Sequence, residues 1–234
     1  MDYRTLRSAP LGTLRSIEAD SLDSIVLNAE EARVLGCLME KEMTTPDYYP
    51  LTLNSLVSAC NQKSSRDPIV EYDSNQVQAT LDRLKEKRLV NRITSSDSRV
   101  PRFRHIANDA LRLNKERAAA ICVLLLRGAQ TVGEIRQRTN RMYDFASLAE
   151  VEDTLEELSS RDTLKLVVQL PRQTGTKESR YAHLLTGEPD EALLTAPTPT
   201  ASSPSKAQLE SRVAELEARL EELQDQFERF KSQF

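Results

Sequence analysis

The sequence lacks tryptophan altogether and contains only two histidines, three cysteines and six glycines among its 234 residues. It has no glycine-rich phosphate loop with lysine and neither Gly-x-Ser-x-Gly nor Cys-x-x-Cys, so the common nucleotide-binding, hydrolase and redox motifs are excluded. Three cysteines cannot pair completely and share no metal-ligand spacing, which favours a reducing cytoplasm. Since no apolar run approaches the roughly 20 residues of a membrane span, no membrane contact is expected.

Charge of one sign does not dominate the chain either. Its 32 lysines and arginines stand against 36 aspartates and glutamates, which gives a formal net charge of −4. Neutralisation of phosphates supplies most of the affinity of proteins that bind nucleic acid without selectivity. The mild acidity of the chain therefore argues against a protein that binds nucleic acid indiscriminately.

What the sequence does contain is an internal repeat, which is its most informative feature. Leu27-Asn28-Ala29-Glu30 resembles Leu113-Asn114-Lys115-Glu116, 86 residues later. Three further blocks, which begin at Thr52, Val77 and Arg102, recur in the same order at offsets of 79, 74 and 78 residues. Since only the lengths of the loops differ, these matches indicate two copies of one structural unit.

Each copy is predicted to form three helices followed by two strands. In the first copy Asn28, Thr52 and Asp73 begin the helices, and residues 89–93 and 102–106 form a hairpin around a polar loop. In the second copy the helices span residues 114–126, 131–139 and 147–161, and the strands span residues 164–170 and 179–184. Three helices and a hairpin in this order are typical of a winged helix-turn-helix domain.

The composition changes near residue 188. Residues 188–205 contain four prolines among small polar residues and are predicted to form a flexible linker. Beyond the linker, apolar residues recur at alternating spacings of three and four, the heptad pattern of a coiled coil. The alternative is a single amphipathic helix that docks on the globular body, but the preceding linker favours self-association. The candidate oligomerisation residues are Leu209, Val213, Leu216, Leu220, Leu223, Phe227 and Phe230.

These patterns together predict an α+β protein that is mainly α with small β-hairpins. An N-terminal extension over residues 1–27 precedes two tandem winged helix-turn-helix domains over residues 28–108 and 109–187. The linker over residues 188–206 then leads to a coiled-coil helix over residues 207–234.

Specific residues of the first copy carry a family resemblance. The runs Gly36-Cys37-Leu38-Met39-Glu40-Lys41 and Cys60-Asn61-Gln62-Lys63-Ser64-Ser65-Arg66-Asp67-Pro68, with Tyr49-Pro50-Leu51-Thr52 between them, resemble the YceH-like family of bacterial proteins. The resemblance covers about residues 28–187 and implies tandem winged-helix domains in a cytoplasmic bacterial protein. It implies no reaction, because no catalytic residues are assigned in that family.

The third helix of a helix-turn-helix enters the major groove, so the charge of this helix tests for DNA binding. In the first copy, residues 73–88 carry a net charge of +1, and Asn75, Gln78 and Arg83 are expected on the outward face. In the second copy, residues 147–161 carry a net charge of −4, which opposes contact with phosphates. The third helix of the second copy is therefore predicted to contact a protein partner or a second copy of the chain.

Basic residues near the first hairpin indicate another kind of DNA contact, with the phosphate backbone. Ten lysines and arginines stand against six acidic residues in residues 61–107. The alternatives are a solvated charged hairpin and, for residues 61–68, a turn whose polar side chains bond its own backbone. Together with the helix residues, the candidate nucleic-acid contacts are Lys63, Arg66, Asn75, Gln78, Arg83, Arg99, Arg102 and Arg104.

No catalytic, cofactor-binding or metal-binding residue is predicted. The two histidines, His105 and His183, occupy equivalent positions in the two copies, and a structural role explains such twins better than catalysis. Two functions are left. Either the protein is a DNA-binding transcriptional regulator that contacts double-stranded DNA through its first winged-helix domain, or it is an interaction protein that uses the winged-helix shape against other proteins.

Overall fold

The structure, a computed structural model, describes residues 25–95, 98–162, 164–172, 178–189 and Lys231. The described residues up to Pro189 belong to one compact unit. The chain before residue 25, most of the linker and the heptad residues from Leu209 to Phe230 lie outside the described residues. The coiled coil and the domain boundaries therefore stay predictions.

The first repeat contains three longer helices and a three-stranded antiparallel sheet. Helix α1 (Ala29–Thr44) is followed by a 3-10 turn (Pro46–Tyr48) and strand β1 (Leu51–Thr52). Then come α2 (Leu53–Cys60), α3 (Ser74–Glu86), β2 (Val90–Ser95) and β3 (Ser98–His105). The strand order is β1-β3-β2, and a short helix α4 (Ala107–Ala110) leads into the second repeat.

The second repeat follows the same order with a smaller sheet. Its elements are α5 (Lys115–Arg127), α6 (Val132–Thr139), α7 (Leu148–Ser159), β4 (Val167–Gln169) and β5 (Tyr181–His183). Strands β4 and β5 pair antiparallel, and an isolated bridge between Gln130 and Tyr181 stands where β1 pairs with β3 in the first repeat. Helices combined with small antiparallel sheets confirm the predicted α+β class.

Local side-chain caps explain where the helices begin. Asn28, Asp73 and Thr131 each accept a hydrogen bond from the backbone N–H three residues later, and the side chain of that later residue bonds back to the cap. These capping boxes satisfy backbone groups that the first turn of a helix leaves unpaired. Single bonds of the same kind cap α2, α5 and α7, where the capping residues are Thr52, Asn114 and Ser147. The predicted helix starts are thereby confirmed.

The two repeats pack against each other through their first helices, α1 and α5. Gly36 and Cys122 hold equivalent positions in the repeat, and the Cys122 thiol donates a hydrogen bond to the Gly36 carbonyl over 3.4 Å. Contact between equivalent positions is what an approximate two-fold relation between the copies produces. A Cβ atom on Gly36 would lie 2.9 Å from a methyl carbon of Leu126, so any other residue there would have to displace this side chain, and glycine permits the close approach of the helices.

Two backbone hydrogen bonds also join the repeats. The Asp67 N–H donates to the Leu126 carbonyl over 2.9 Å, and the Leu27 N–H donates to the Leu185 carbonyl over 2.6 Å. The second bond connects the start of the first repeat to the end of the second. The two ends of the described unit are therefore in contact.

A single apolar core runs through both repeats. The three cysteines, Cys37, Cys60 and Cys122, are buried in it and unpaired. None of the helices in the described residues has the length and apolarity that crossing a bilayer requires.

Candidate nucleic-acid interface

Helix α3 turns its apolar residues inward and its polar residues outward. Val77, Leu81 and Leu84 are buried, whereas Asn75 and Asp82 are exposed. The outward face expected from the sequence is therefore present. Its suitability for a nucleic acid depends on the charges and hydrogen bonds of the side chains that it carries.

Two basic residues at the end of α3 are held by glutamates of α1. Arg83 Nη2 lies 2.6 Å from Glu30 Oε2, and Arg83 Nε lies 3.4 Å from Glu31 Oε1. Lys87 Nζ lies 2.6 Å from Glu31 Oε2 and also donates to the Val26 carbonyl. Because only 1% of the Glu31 side chain is exposed, Arg83 and Lys87 neutralise a buried carboxylate.

The other outward side chains of α3 bond each other or carry negative charge. Gln78 Nε2 donates a hydrogen bond to Asp82 Oδ1 over 3.2 Å. Asp82 and Glu86 are exposed, and neither has a cationic partner among the residues that the structure describes. Of the three predicted contacts on α3, Asn75 is exposed, Gln78 bonds Asp82, and Arg83 is held by α1.

Arg66, another predicted contact, is buried with only 6% of its surface exposed. Its Nη2 lies 2.6 Å from Glu40 Oε2, and its Nε donates to the Ala59 carbonyl over 3.1 Å. Burial by itself raises the pKa of Glu40, but the hydrogen bonds and charge of Arg66 outweigh it and hold that pKa below its usual value. The guanidinium is buried and paired within the fold, which favours a structural role for Arg66 over the predicted phosphate contact.

The loop over residues 61–68 is fixed by polar side chains that bond the backbone. Asn61 Nδ2 donates to the Tyr72 carbonyl, and Asn61 Oδ1 accepts from the Tyr72 N–H, both over 2.8 Å. The buried Arg33 donates to two backbone carbonyls at the ends of the same segment. Lys63 is exposed in this loop and stays a candidate contact. Much of the run that carries the family resemblance therefore stabilises the conformation of this loop.

The hairpin of β2 and β3 carries exposed arginines on both faces. Arg102 and Arg104 flank the buried Phe103 in β3 and share the outer face of the sheet. Both are exposed, and neither has a carboxylate partner within the described ranges. Arg92 is exposed as well, but it pairs with Phe103 and so lies on the other face. Arg99 belongs to β3, and its side chain lies outside the described part of the chain.

The two histidines end the inner strands of their hairpins. His105 Nε2 lies 2.8 Å from Glu42 Oε2 of α1, and the His105 backbone N–H donates to the Tyr49 hydroxyl over 2.7 Å. His183 ends β5 and is largely buried, and this burial lowers its pKa to about 4. Both histidines thus lie at the junction of a strand with the core, and their structural role stays a prediction.

Helix α7 presents acidic side chains where α3 presents polar ones. Glu152, Asp153 and Glu156 are exposed, and the offset of 74 residues places them at outward positions of the repeat. None of the three forms an ion pair with a described residue. The outward face of the second repeat therefore repels phosphates, as its sequence predicts.

An ion pair between the first and third helices recurs in both repeats with its charges exchanged. In the first repeat Arg83 of α3 pairs with Glu31 of α1, over 3.4 Å. In the second repeat Glu157 of α7 pairs with Arg117 of α5, over 3.0 Å from Nε to Oε2. The offsets of 74 and 86 residues relate these partners directly. The two copies share their geometry but differ in the sign of the charge on the third helix.

Comparison with known proteins places the chain in a family. Residues 27–176 match a family model described as protein of unknown function, DUF480. A UPF0502 protein of Geobacter sulfurreducens is 57% identical over 167 residues, which cover 71% of this chain and 75% of that protein. A UPF0502 protein of Koribacter versatilis is 52% identical over 162 residues, with coverage of 69% and 75%. For a UPF0502 protein of Vibrio cholerae the identity is 48% over 191 residues, with coverage of 80% and 88%. The resemblance to an uncharacterised bacterial family is thus confirmed, and the chain belongs to the DUF480 family.

Proposed function

We propose that the protein is a non-enzymatic, cytoplasmic DNA-binding protein of the transcription-regulator class, built from two tandem winged helix-turn-helix domains. The order of three helices and a hairpin, with the same capped starts in both copies, supports the winged-helix assignment. The burial of His105 and of all three cysteines, together with the partial burial of His183, supports a non-enzymatic function, because these groups are withdrawn from a substrate at the surface. The unpaired thiols suit a reducing compartment.

One observation carries the DNA-binding proposal. Arg102 and Arg104 stand exposed on the outer face of the first hairpin, and no described carboxylate neutralises them. Arginines without a carboxylate partner are available for phosphate oxygens, which supply much of the affinity for duplex DNA. The first repeat is therefore the repeat that meets the DNA.

Binding of the full chain to mixed genomic DNA fragments across a salt series tests this proposal. We expect binding at about 50 mM salt and a steep loss towards about 200 mM, because each phosphate contact releases counterions. Fluorescence anisotropy of labelled duplexes measures the affinity. Since the whole chain has a net charge of −4, a general attraction to its surface does not explain such binding. A chain that binds no duplex at the lowest salt contradicts the proposal.

We also propose that the C-terminal helix joins two chains. The heptad pattern over residues 209–230 supports this, since each fully buried side chain of the seam contributes roughly 1.5–3 kcal/mol before ordering costs. Removal of residues 206–234 is expected to give a monomer with intact domains, as measured by light scattering and thermal unfolding. If the truncated protein is still a dimer, the contact belongs to the body of the protein.

The acidic face of α7 favours a second candidate function, contact with a protein partner. Glu152, Asp153 and Glu156 oppose phosphates but suit a basic protein surface. This function and DNA binding are compatible, because they use different repeats. If the full chain binds no duplex, protein contact becomes the favoured function.

A further inference from the structure

We infer that the first repeat meets duplex DNA with the outer face of its hairpin, as a contact with the phosphate backbone, and that α3 does not enter the major groove. This inference rests on the proposed function and specifies which surface of the first repeat carries it. In the usual docking of a helix-turn-helix, the third helix lies in the groove and supplies the base contacts. The charges of this molecule favour another arrangement.

The first reason is that the basic residues at the end of α3 are not available. Arg83 and Lys87 neutralise Glu31, whose side chain is 1% exposed. If they moved to a phosphate, they would leave this carboxylate buried without a cationic partner, which is costly in a protein interior. Arg83 also pairs with Glu30 over 2.6 Å, so its departure would expose a second negative charge to the DNA.

The second reason is the charge of the outward face of α3. Asp82 and Glu86 are exposed without a described cationic partner, and they lie four residues apart on one side of the helix. In the groove, phosphates would surround both carboxylates. Gln78, which has the amide that adenine recognition needs, already donates to Asp82. The outward face of α3 therefore repels phosphates, and its Gln78 amide already forms a hydrogen bond within the protein.

In contrast to α3, the outer face of the hairpin is basic. Arg102 and Arg104 lie two residues apart on one face of β3, a separation of about 6.8 Å along the strand. Because both side chains leave the strand on the same face, both guanidinium groups are within reach of phosphates of one DNA strand. Arg102 donates to the Pro50 carbonyl over 2.9 Å, which orients its guanidinium and leaves other donors unused.

The surroundings of Arg102 are also favourable for an anion. Arg102 is the register partner of Thr52, which caps the start of α2, and Asn54 and Ser55 in the first turn are exposed. The partial positive charge of a helix start adds to that of the arginine. The inferred contact surface is therefore the outer hairpin face with the start of α2 at its edge.

The full chain and four variants separate hairpin contact from groove contact, with affinity measured by anisotropy on several unrelated duplexes across a salt series. Arg102→Ala with Arg104→Ala is expected to weaken binding roughly tenfold or more at about 50 mM salt and to lower the salt slope by about two. Arg104→Gln alone is expected to lower the slope by about one. Because Arg104 makes no side-chain hydrogen bond with a described residue, this variant keeps the test valid if the double variant is destabilised.

Two variants serve as matched controls. Arg92→Ala removes an exposed arginine from the other face of the same hairpin, and Asn75→Ala with Gln78→Ala removes the amides of α3. Both are expected to bind within about twofold of the unchanged chain, with the same salt slope. The inference is overturned if the α3 variant loses more affinity than the hairpin variant, or if Arg92→Ala is as harmful as Arg104→Gln. If the unchanged chain binds no duplex, the proposed function fails as well.

Discussion

Replacement of Arg66 by methionine is expected to lower the free energy of unfolding by about 3–5 kcal/mol. Arg66 lies in a loop, where substitutions usually have small effects, but its guanidinium is buried and bonds Glu40, Gln62 and two backbone carbonyls. Methionine fills part of the volume but leaves the Glu40 carboxylate, 15% exposed, with only Lys41, at 3.5 Å, as a cationic partner among the described residues. The loss of the buried, hydrogen-bonded cation is the main source of the destabilisation.

Urea unfolding followed by circular dichroism measures this effect. Arg92→Met is the matched control, because it makes the same chemical change at an exposed arginine and is expected to change stability by less than about 0.5 kcal/mol. A chain with both Arg66→Met and Glu40→Leu is expected to recover much of the loss, since neither charge is then left unpaired. Equal unfolding midpoints for Arg66→Met and the unchanged chain would show that the pair is not buried in solution.

Acidification from pH 7 to about 4.5 is expected to cost about 2–3 kcal/mol of stability through His183 alone. Burial lowers the pKa of His183 to about 4 in the folded chain, against about 6.5 when the chain is unfolded. Below pH 6.5 the unfolded chain therefore takes up a proton that the folded chain does not. The stability is complete above pH 6.5 and is lost as the pH falls towards 4.

The change from His183 to Gln isolates this contribution. The variant is expected to lose about 2–3 kcal/mol less than the unchanged chain over the same pH interval, as measured by urea unfolding at pH 7 and pH 4.5. Other groups with shifted pKa values, such as Glu40, act equally in both chains and cancel in the difference. Parallel losses in the two chains would mean that His183 is accessible to water.

The elements that the sequence predicts well are those that local chemistry decides. The capping boxes at Asn28, Asp73 and Thr131 act within four residues, so the helix starts follow from the sequence alone. Strand alternation is also local, which is why Arg102 and Arg104 are predicted on the hairpin and lie exposed there. The repeat supports these predictions, because each predicted element recurs at the equivalent position of the other copy.

The side-chain pairings that the sequence does not predict depend on contacts between residues that are far apart in the sequence. Nothing near Arg66 in the sequence indicates that it turns inward to Glu40, 26 residues before it. Glu31 is predictable as a capping residue, but its pairing with Lys87, 56 residues later, depends on how α1 packs against α3. The same packing removes Arg83 from the set of available contacts. Of the eight candidate nucleic-acid contacts, two, Arg66 and Arg83, are held by carboxylates of the fold.

The hydrogen bond from the Leu27 N–H to the Leu185 carbonyl brings the two ends of the segment over residues 25–189 into contact. A compact unit whose two ends touch tolerates a break at another exposed connection when those ends are joined. The exposed Arg112, between the repeats, is a connection of this kind. A circular permutant cut there, with residues 187 and 25 joined by a short linker, would run from the second repeat to the first and keep each repeat unbroken.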